Sequence, residues 1–161
     1  MGEGDILSCG DLTLEVIDAP GHSSCSIAIY IPQEKALFPS DSAGVCYGAH
    51  FQPAANSNYD YYQQTLDKLV RYDVDAILPE HFGAAVGEEA SNYLPRAIEA
   101  AKKERAMMED SYRRTRDIDK SREEIMSLVG DKAPAPFISH EIMAAMVGQT
   151  LKFIVSKMME E

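Results

Sequence analysis

The sequence has little of what several common protein classes require. It contains three cysteines, an odd number without the spacing of a zinc finger. That count argues against a disulfide framework and predicts a reducing, cytoplasmic setting. No apolar run reaches the roughly 18 residues of a transmembrane helix, which argues against a membrane partner. The first residues also lack the basic and apolar segments of a secretory signal peptide.

Basic residues are scarce in the first part of the chain. Residues 1–101 hold four basic and fifteen acidic residues, a net charge of −11. Such a surface repels phosphate backbones, so nucleic acid is not an expected partner. Residues 102–124 mix eight basic with seven acidic residues, which predicts a solvated helix face with i,i+4 ion pairs. The length of 161 residues is enough for a sizeable core.

Hydrophobic patterning divides the chain into a strand-rich part and a helical part. Alternating apolar residues predict a hairpin of two strands that turns at Gly10-Asp11. Further strands are predicted over 26–31, 35–38 and 74–79, with a helix over 59–72 capped by Asn58 and a loop over 45–57.

The chain from residue 87 onward is predicted to be mainly helical. Asn92 is the expected cap of one helix, in which Pro95 falls in the tolerated first turn. A second helix is predicted over 117–129, and Lys132–Pro136 reads as a stiff connector. The last helix begins after the cap Ser139.

The last helix carries a wide apolar stripe that has to be buried. The stripe contains Ile142, Met146, Val147, Leu151, Ile154, Val155 and Met158. Three destinations are open for it: the protein's own sheet or helices, a homodimer interface through residues 139–159, or the apolar tail of a substrate.

Three potential metal ligands each follow a predicted strand directly. They are His22 on the turn Pro20-Gly21-His22, Asp41 after Pro39-Ser40, and His81 after Pro79-Glu80. A lone histidine on a turn is commonly just a polar loop residue, so the case depends on the three occurring together. If the strands share one sheet edge, the side chains converge, and imidazole with carboxylate suits zinc, iron or manganese. One carboxylate can also bridge two cations, as two-metal hydrolytic sites require.

The order of these motifs resembles the second half of a metallo-β-lactamase-fold hydrolase. The likeness runs from Leu14 to His22, through the Ser-Asp pair at 40–41, to the segment Pro79–Gly83, and covers about half of the chain. It implies an α/β fold of the α+β sandwich type, one αββα-like half with a mostly antiparallel or mixed sheet. Residues 1–86 would be that half, and 87–161 a helical C-terminal extension packed on it or on a partner chain.

The resemblance also implies a role for each candidate ligand. His22 would bind one metal ion, Asp41 would bridge two, and His81 would bind the second, with zinc as the expected metal and iron or manganese as alternatives. Ser40 stands where the family usually has glycine, and Glu80 and Phe82 replace small residues beside His81. These departures change backbone freedom and keep all three ligand types.

One family motif is absent from this sequence. The first half of the fold carries HxHxDH, which supplies three more ligands, whereas the four histidines here stand at 22, 50, 81 and 140. The expectation is that the chain is the C-terminal half of a longer protein and, without the missing N-terminal half as partner, is inactive alone.

The function implied by the resemblance is metal-dependent hydrolysis of a small molecule. Metal-bound hydroxide would attack an ester, thioester, lactone or related bond, with no side chain as nucleophile. His50, in the predicted loop, is a possible substrate contact. Two alternatives remain open: a flavodiiron-like electron-transfer fragment, and a non-catalytic binding or assembly module on the same scaffold.

Overall fold

The computed structural model describes residues 1–129 and 138–160. They form two compact units, Met1–Ala100 and Ala101–Glu161. The predicted division into residues 1–86 and 87–161 stays a prediction. Within the described ranges, no helix is both long enough and apolar enough to pass through a membrane.

The first unit is built on a mixed six-stranded sheet. Its strands and those of a separate hairpin are β1 (Ile6–Cys9), β2 (Leu12–Asp18), β3 (Ile27–Ile31), β4 (Ala36–Phe38), β5 (Val45–Tyr47), β6 (His50–Gln52), β7 (Ala76–Ile77) and β8 (Ala85–Val86). The sheet order is β1-β2-β3-β4-β7-β8, antiparallel throughout except for the parallel pair β4 and β7. The predicted fold class, an α/β arrangement with a mixed sheet, is confirmed.

Strands β1 to β4 lie close to where the hydrophobic pattern predicted them. Val16 and Ile17 are buried on β2, and Ala28 and Leu37 are buried on its neighbours. Because consecutive strand residues point to opposite faces of a sheet, the burial of both Val16 and Ile17 shows that both faces of β2 are covered near its end.

The hairpin of β5 and β6 was not predicted, since residues 45–57 read as a loop. Its strands have three residues each, and Gly48 forms the turn with a φ of 60°. Strands this short leave almost no periodic signal in a sequence.

Helix α1 (Tyr59–Leu69) is capped as predicted by Asn58, whose side chain accepts a hydrogen bond from the Tyr61 N–H. Helix α2 (Glu88–Thr115) begins earlier than predicted. Asn92 is not its cap, because the Asn92 side-chain amide donates to the Glu88 carbonyl at 2.9 Å inside the helix. Pro95 therefore lies in the helix interior rather than in the first turn.

The second unit contains the later part of α2, followed by α3 (Ile118–Val129) and α4 (His140–Met158). Helices α3 and α4 pack against each other. Ser139 caps α4 as predicted, by accepting from the Ile142 N–H. Most of the α4 stripe is buried, but Ile142 is 57% exposed, which corrects its expected place on that stripe. The connector 132–136 lies outside the described residues. The homodimer through 139–159 stays a prediction.

Candidate metal centre

The three sequence-predicted ligands lie at one edge of the sheet. Strands β2, β4 and β7 run in the same direction, because β3 is antiparallel to both β2 and β4 and because β4 and β7 are parallel. Their carboxyl ends therefore meet at the same edge. His22, Asp41 and His81 each follow one of those ends.

The turn before His22 is held by the start of α1. Gly21 has a φ of 130°, and a Cβ added there would lie 2.3 Å from the Cα of Tyr62. The Gly21 carbonyl accepts from the N–H groups of Ser57 and Asn58 at 3.0 and 3.1 Å. Only glycine allows this close approach of turn and helix, so the position of His22 depends on it.

The His22 ring is oriented by a backbone carbonyl. Its Nδ1 lies 2.8 Å from the Ala54 oxygen, which can only accept, so Nδ1 carries the proton. Nε2 then points toward Asp41. A hydrogen bond of this kind on the far ring nitrogen is what fixes metal-binding histidines in proteins.

Asp41 lies on a single 3-10 turn, Ser40–Ala43. The next residue, Ser42, is buried, and its hydroxyl donates to the Ala19 carbonyl at 2.7 Å. This bond ties the Asp41 turn to the end of β2, just before the His22 turn. Ser40 has a φ of 50°, in the region that favours glycine, which explains why its departure from glycine carries a conformational cost.

The Asp41 carboxylate lies between the two imidazoles. Its Oδ2 is 3.6 Å from His22 Nε2, and its Oδ1 is 3.5 Å from His81 Nε2. The three side chains are 21–37% exposed, so the site is open to solvent.

These distances fit ligands of a shared cation. Two ligands of one tetrahedral zinc ion lie about 3.4 Å apart, given Zn–N and Zn–O bonds of about 2.1 Å. In this tautomer of His22, the Nε2 lone pair faces a carboxylate oxygen of Asp41, so both atoms are oriented as possible ligands of one cation. The donor types, imidazole nitrogen and carboxylate oxygen, suit zinc and other divalent transition metals.

The three side chains form two pairs, His22 with Asp41 and His81 with Asp41, which share the aspartate. Across residues 1–129 and 138–160, no three or more His, Cys, Asp or Glu side chains are grouped to hold a single ion. Each imidazole instead faces a different oxygen of Asp41. The arrangement therefore offers two ligands to each of two positions.

His50 lies in an aromatic cluster beside the His81 loop. Its ring is 4.9 Å from the Tyr47 ring, and the Tyr47 ring is 5.4 Å from that of Phe82, the residue after His81. His50 as a substrate contact stays a prediction. Cys25, three residues after His22 in the chain, is exposed.

Sequence reasoning did not find the residues that position the site. The Tyr93 hydroxyl donates to the Gly44 carbonyl at 3.2 Å and so anchors α2 to the segment that carries Asp41. Ser42 and Ala54 act on the site through backbone carbonyls in the same way. Such contacts join residues far apart in sequence and leave no local pattern.

The family model of the metallo-beta-lactamase superfamily matches residues 1–81, half of the chain. The chain belongs to the metallo-beta-lactamase superfamily. Members of this superfamily generally bind metal ions, and the predicted membership is confirmed. The match ends at His81, so it contains all three candidate ligands.

Similar proteins include a hydrolase from vertebrates. The acyl-coenzyme A thioesterase MBLAC2 of Gallus gallus is 38% identical over 101 residues, 59% of this chain and 36% of that protein. The Homo sapiens protein of the same name is 34% identical over 104 residues. The chain thus spans about a third of the length of the curated relatives it matches.

Solved structures show the same fold at low sequence identity. A beta-lactamase domain protein from Burkholderia ambifaria aligns with a TM-score of 0.63 at 13% identity, over 96% of this chain and 46% of that one. A metallo-beta-lactamase family protein from Thermus thermophilus aligns with a TM-score of 0.62 at 17% identity, over 96% and 48%.

Proposed function

We propose that this chain supplies one side of a two-metal centre in an acyl-thioester hydrolase, with His22, Asp41 and His81 as its ligands. The observation that carries the proposal is the Asp41 carboxylate, which directs one oxygen to each imidazole at 3.5–3.6 Å. The thioester as substrate class is supported by the vertebrate relatives, whose name describes them as acyl-coenzyme A thioesterases. Zinc is the proposed metal, and iron or manganese are alternatives with the same donor types.

The residues of this chain would act by holding and orienting. Ala54 keeps the His22 proton on Nδ1, so Nε2 is available as a ligand. Ser42 holds the Asp41 turn against the end of β2, which limits how far the carboxylate moves from His22. Divalent cations, when bound, supply Lewis acidity toward a thioester carbonyl and lower the pKa of water enough to make it a nucleophile at neutral pH.

The chain alone is proposed to bind cations weakly and to be inactive. Each position has two ligands from this chain, whereas catalytic zinc sites have three protein ligands and structural sites four. The HxHxDH motif, which supplies further ligands in metallo-β-lactamase-fold hydrolases, does not occur in this sequence.

Metal binding is tested on the chain by proton NMR of its four histidines. Paramagnetic Co²⁺ or Mn²⁺ should broaden the ring signals of His22 and His81 first, while His140 on α4 serves as an internal control. Asp41→Asn should reduce the broadening of both His22 and His81, because both imidazoles face the Asp41 carboxylate. Equal broadening of His140, or no effect of Asp41→Asn, would contradict the site.

The thioesterase proposal is tested by transplanting the matched segment. The part of the Gallus gallus thioesterase that aligns with this chain is replaced by the chain's own residues, and thiol release from acyl-CoA is measured beside ester, lactone and β-lactam hydrolysis. We expect chelator-sensitive thioester hydrolysis that Asp41→Ala abolishes. A chimera that binds two metal ions and hydrolyses another substrate class but no thioester would overturn the substrate proposal. Robust turnover by the isolated chain would overturn its inactivity.

A further inference from the structure

A cavity of about 210 Å³ lies beside the His81 loop. It is bordered by the β5–β6 hairpin, by the loop that carries His81, and by the first turns of α2. Its lining includes Cys46, Pro79, Phe82, Ala85, Tyr93 and Arg96. Pro79 and Phe82 stand on either side of His81 in the chain, so the cavity adjoins the candidate metal centre.

The walls of this cavity are largely uncharged. The Tyr93 hydroxyl is occupied by the Gly44 carbonyl at 3.2 Å, and its ring packs edge-on against Phe51 at 5.0 Å. Glu89 and Arg96 are the charged lining residues, and because their charges are opposite, the lining has no net charge. Arg96 is oriented by the Ala49 carbonyl at 3.4 Å and lies 5.8 Å from the centre of the Phe51 ring.

Phe82 has an unfavourable backbone conformation, and the residue is 48% exposed. Its φ is 64°, a value that costs a bulky residue about 1–2 kcal/mol. Strained residues of this kind cluster at ligand-binding and active sites, where the surrounding structure holds them in place. The Tyr47 ring, 5.4 Å away, supports the Phe82 ring from the hairpin side.

We propose that this cavity binds the acyl chain of the thioester substrate, with Phe82 as the main apolar contact. The inference rests on the proposed thioesterase function, because it assumes that the scissile carbonyl lies near Asp41 and His81. The phosphate-bearing part of a coenzyme A ester is a poorer occupant, since residues 1–101 carry a net charge of −11.

The size of the cavity sets the chain length. At about 30 Å³ for a group the size of a water molecule, 210 Å³ accommodates on the order of seven methylene-sized groups. Affinity should therefore rise with each carbon up to a medium-length chain and then level off. Each buried methylene is worth up to about a fourfold gain in affinity.

The test is calorimetric titration of the chain with S-alkyl coenzyme A thioethers of increasing length, and with coenzyme A itself. The thioethers cannot be hydrolysed, and a chelator is present, so binding is measured apart from metal and turnover. We expect the dissociation constant to fall with chain length to about eight carbons. Coenzyme A binding as tightly as its long-chain thioethers would overturn the inference.

Three variants separate the cavity from general effects on folding. Phe82→Gly relieves the φ of 64° and removes the ring, so it should weaken long-chain binding about tenfold without loss of thermal stability. Ala84→Leu, from the exposed lining, should move the plateau to shorter chains. Tyr61 is 52% exposed and does not line the cavity, so Tyr61→Ala should change neither the affinity for long chains nor the chain length at which affinity levels off.

The inference and the proposed function fail in different ways. Asp41→Asn should reduce the broadening of His22 and His81 by Co²⁺ and leave alkyl-chain binding intact. If alkyl chains bind but the metal does not, the proposed role of the cavity is supported and the proposed metal centre is wrong. If Phe82→Gly and Ala84→Leu leave the chain-length profile unchanged while the metal binds, the cavity assignment is wrong and the metal centre stands.

Discussion

Replacement of Gly21 by alanine should both destabilise the first unit and displace His22. The added Cβ would lie 2.3 Å from Cα and 2.4 Å from N of Tyr62, which are backbone atoms of α1. A flexible side chain could rotate away from such a contact, but a helix backbone cannot. Either the turn or the helix has to move, and the turn carries His22.

The magnitude follows from two separable costs. A non-glycine residue in a sparsely populated backbone region costs about 1–3 kcal/mol, and overpacking a close contact adds about 1–3 kcal/mol. Gly21→Ala should therefore lower the free energy of unfolding by about 2–6 kcal/mol, a large part of the usual total of about 5–15 kcal/mol. Gly48 provides the matched control, because its φ is 60° and no atom lies within 4 Å of its added Cβ. Gly48→Ala should cost only the conformational part, about 1–2 kcal/mol.

The assay is urea denaturation followed by tyrosine fluorescence. The chain has no tryptophan, and seven of its eight tyrosines lie in Met1–Ala100, so the signal reports mainly on the first unit. In the NMR titration with Co²⁺, Gly21→Ala should weaken broadening of His22 more than that of His81. Equal losses of unfolding free energy for Gly21→Ala and Gly48→Ala would refute the steric argument.

Three further changes have defined outcomes. Hydrogen bonds from the Asp18 N–H and from Lys68 lower the pKa of Glu3. This group therefore stabilises the fold above its unfolded pKa of about 4.5, and that contribution is lost as pH falls through the lower folded value. Glu3→Gln should accordingly cost up to about 1 kcal/mol in urea melts at pH 7 and less as the pH is lowered below 4.5; a cost that does not fall with pH would contradict this. Tyr93→Phe should cost about 1–3 kcal/mol in tyrosine-monitored urea melts, because the buried Gly44 carbonyl loses its donor; a neutral change would contradict that role. Ser139→Ala should reduce the helical circular dichroism or the unfolding free energy of the second unit by about 1 kcal/mol, whereas Ser156→Ala at the other end of α4 should not.

The parts of the fold that the sequence predicts are those with local signals. The hairpin of β1 and β2 has alternating residues and the turn Gly10-Asp11, and α1 and α4 have the caps Asn58 and Ser139. Strands β5, β6 and β8 have two or three residues, and long-range packing rather than periodicity sets where they form. The start of α2 was misplaced because Asn92 bonds to a carbonyl within the helix instead of capping it.

The sequence predicted that the three candidate ligands lie together, but it did not predict the residues that hold them in place; their role as ligands stays a prediction. Strand-end positions were enough to bring His22, Asp41 and His81 to one sheet edge. Their orientation depends on Ala54, which is 32 residues from His22 and contacts it through a backbone oxygen. A backbone carbonyl is present at every residue, so no sequence pattern marks the one that matters.

The parallel pairing of β4 and β7 implies an order of events during folding. Strands β1 to β4 follow one another in the chain and place His22 and Asp41 at the same sheet edge. His81 joins only when Ala36 pairs with Ala76, about forty residues further along the chain. Closing a loop of that length costs entropy before any contact compensates for it, and such steps are slow. We therefore expect His22 and Asp41 to reach this sheet edge before His81 does, so that the three side chains arrive in the order in which the chain presents them.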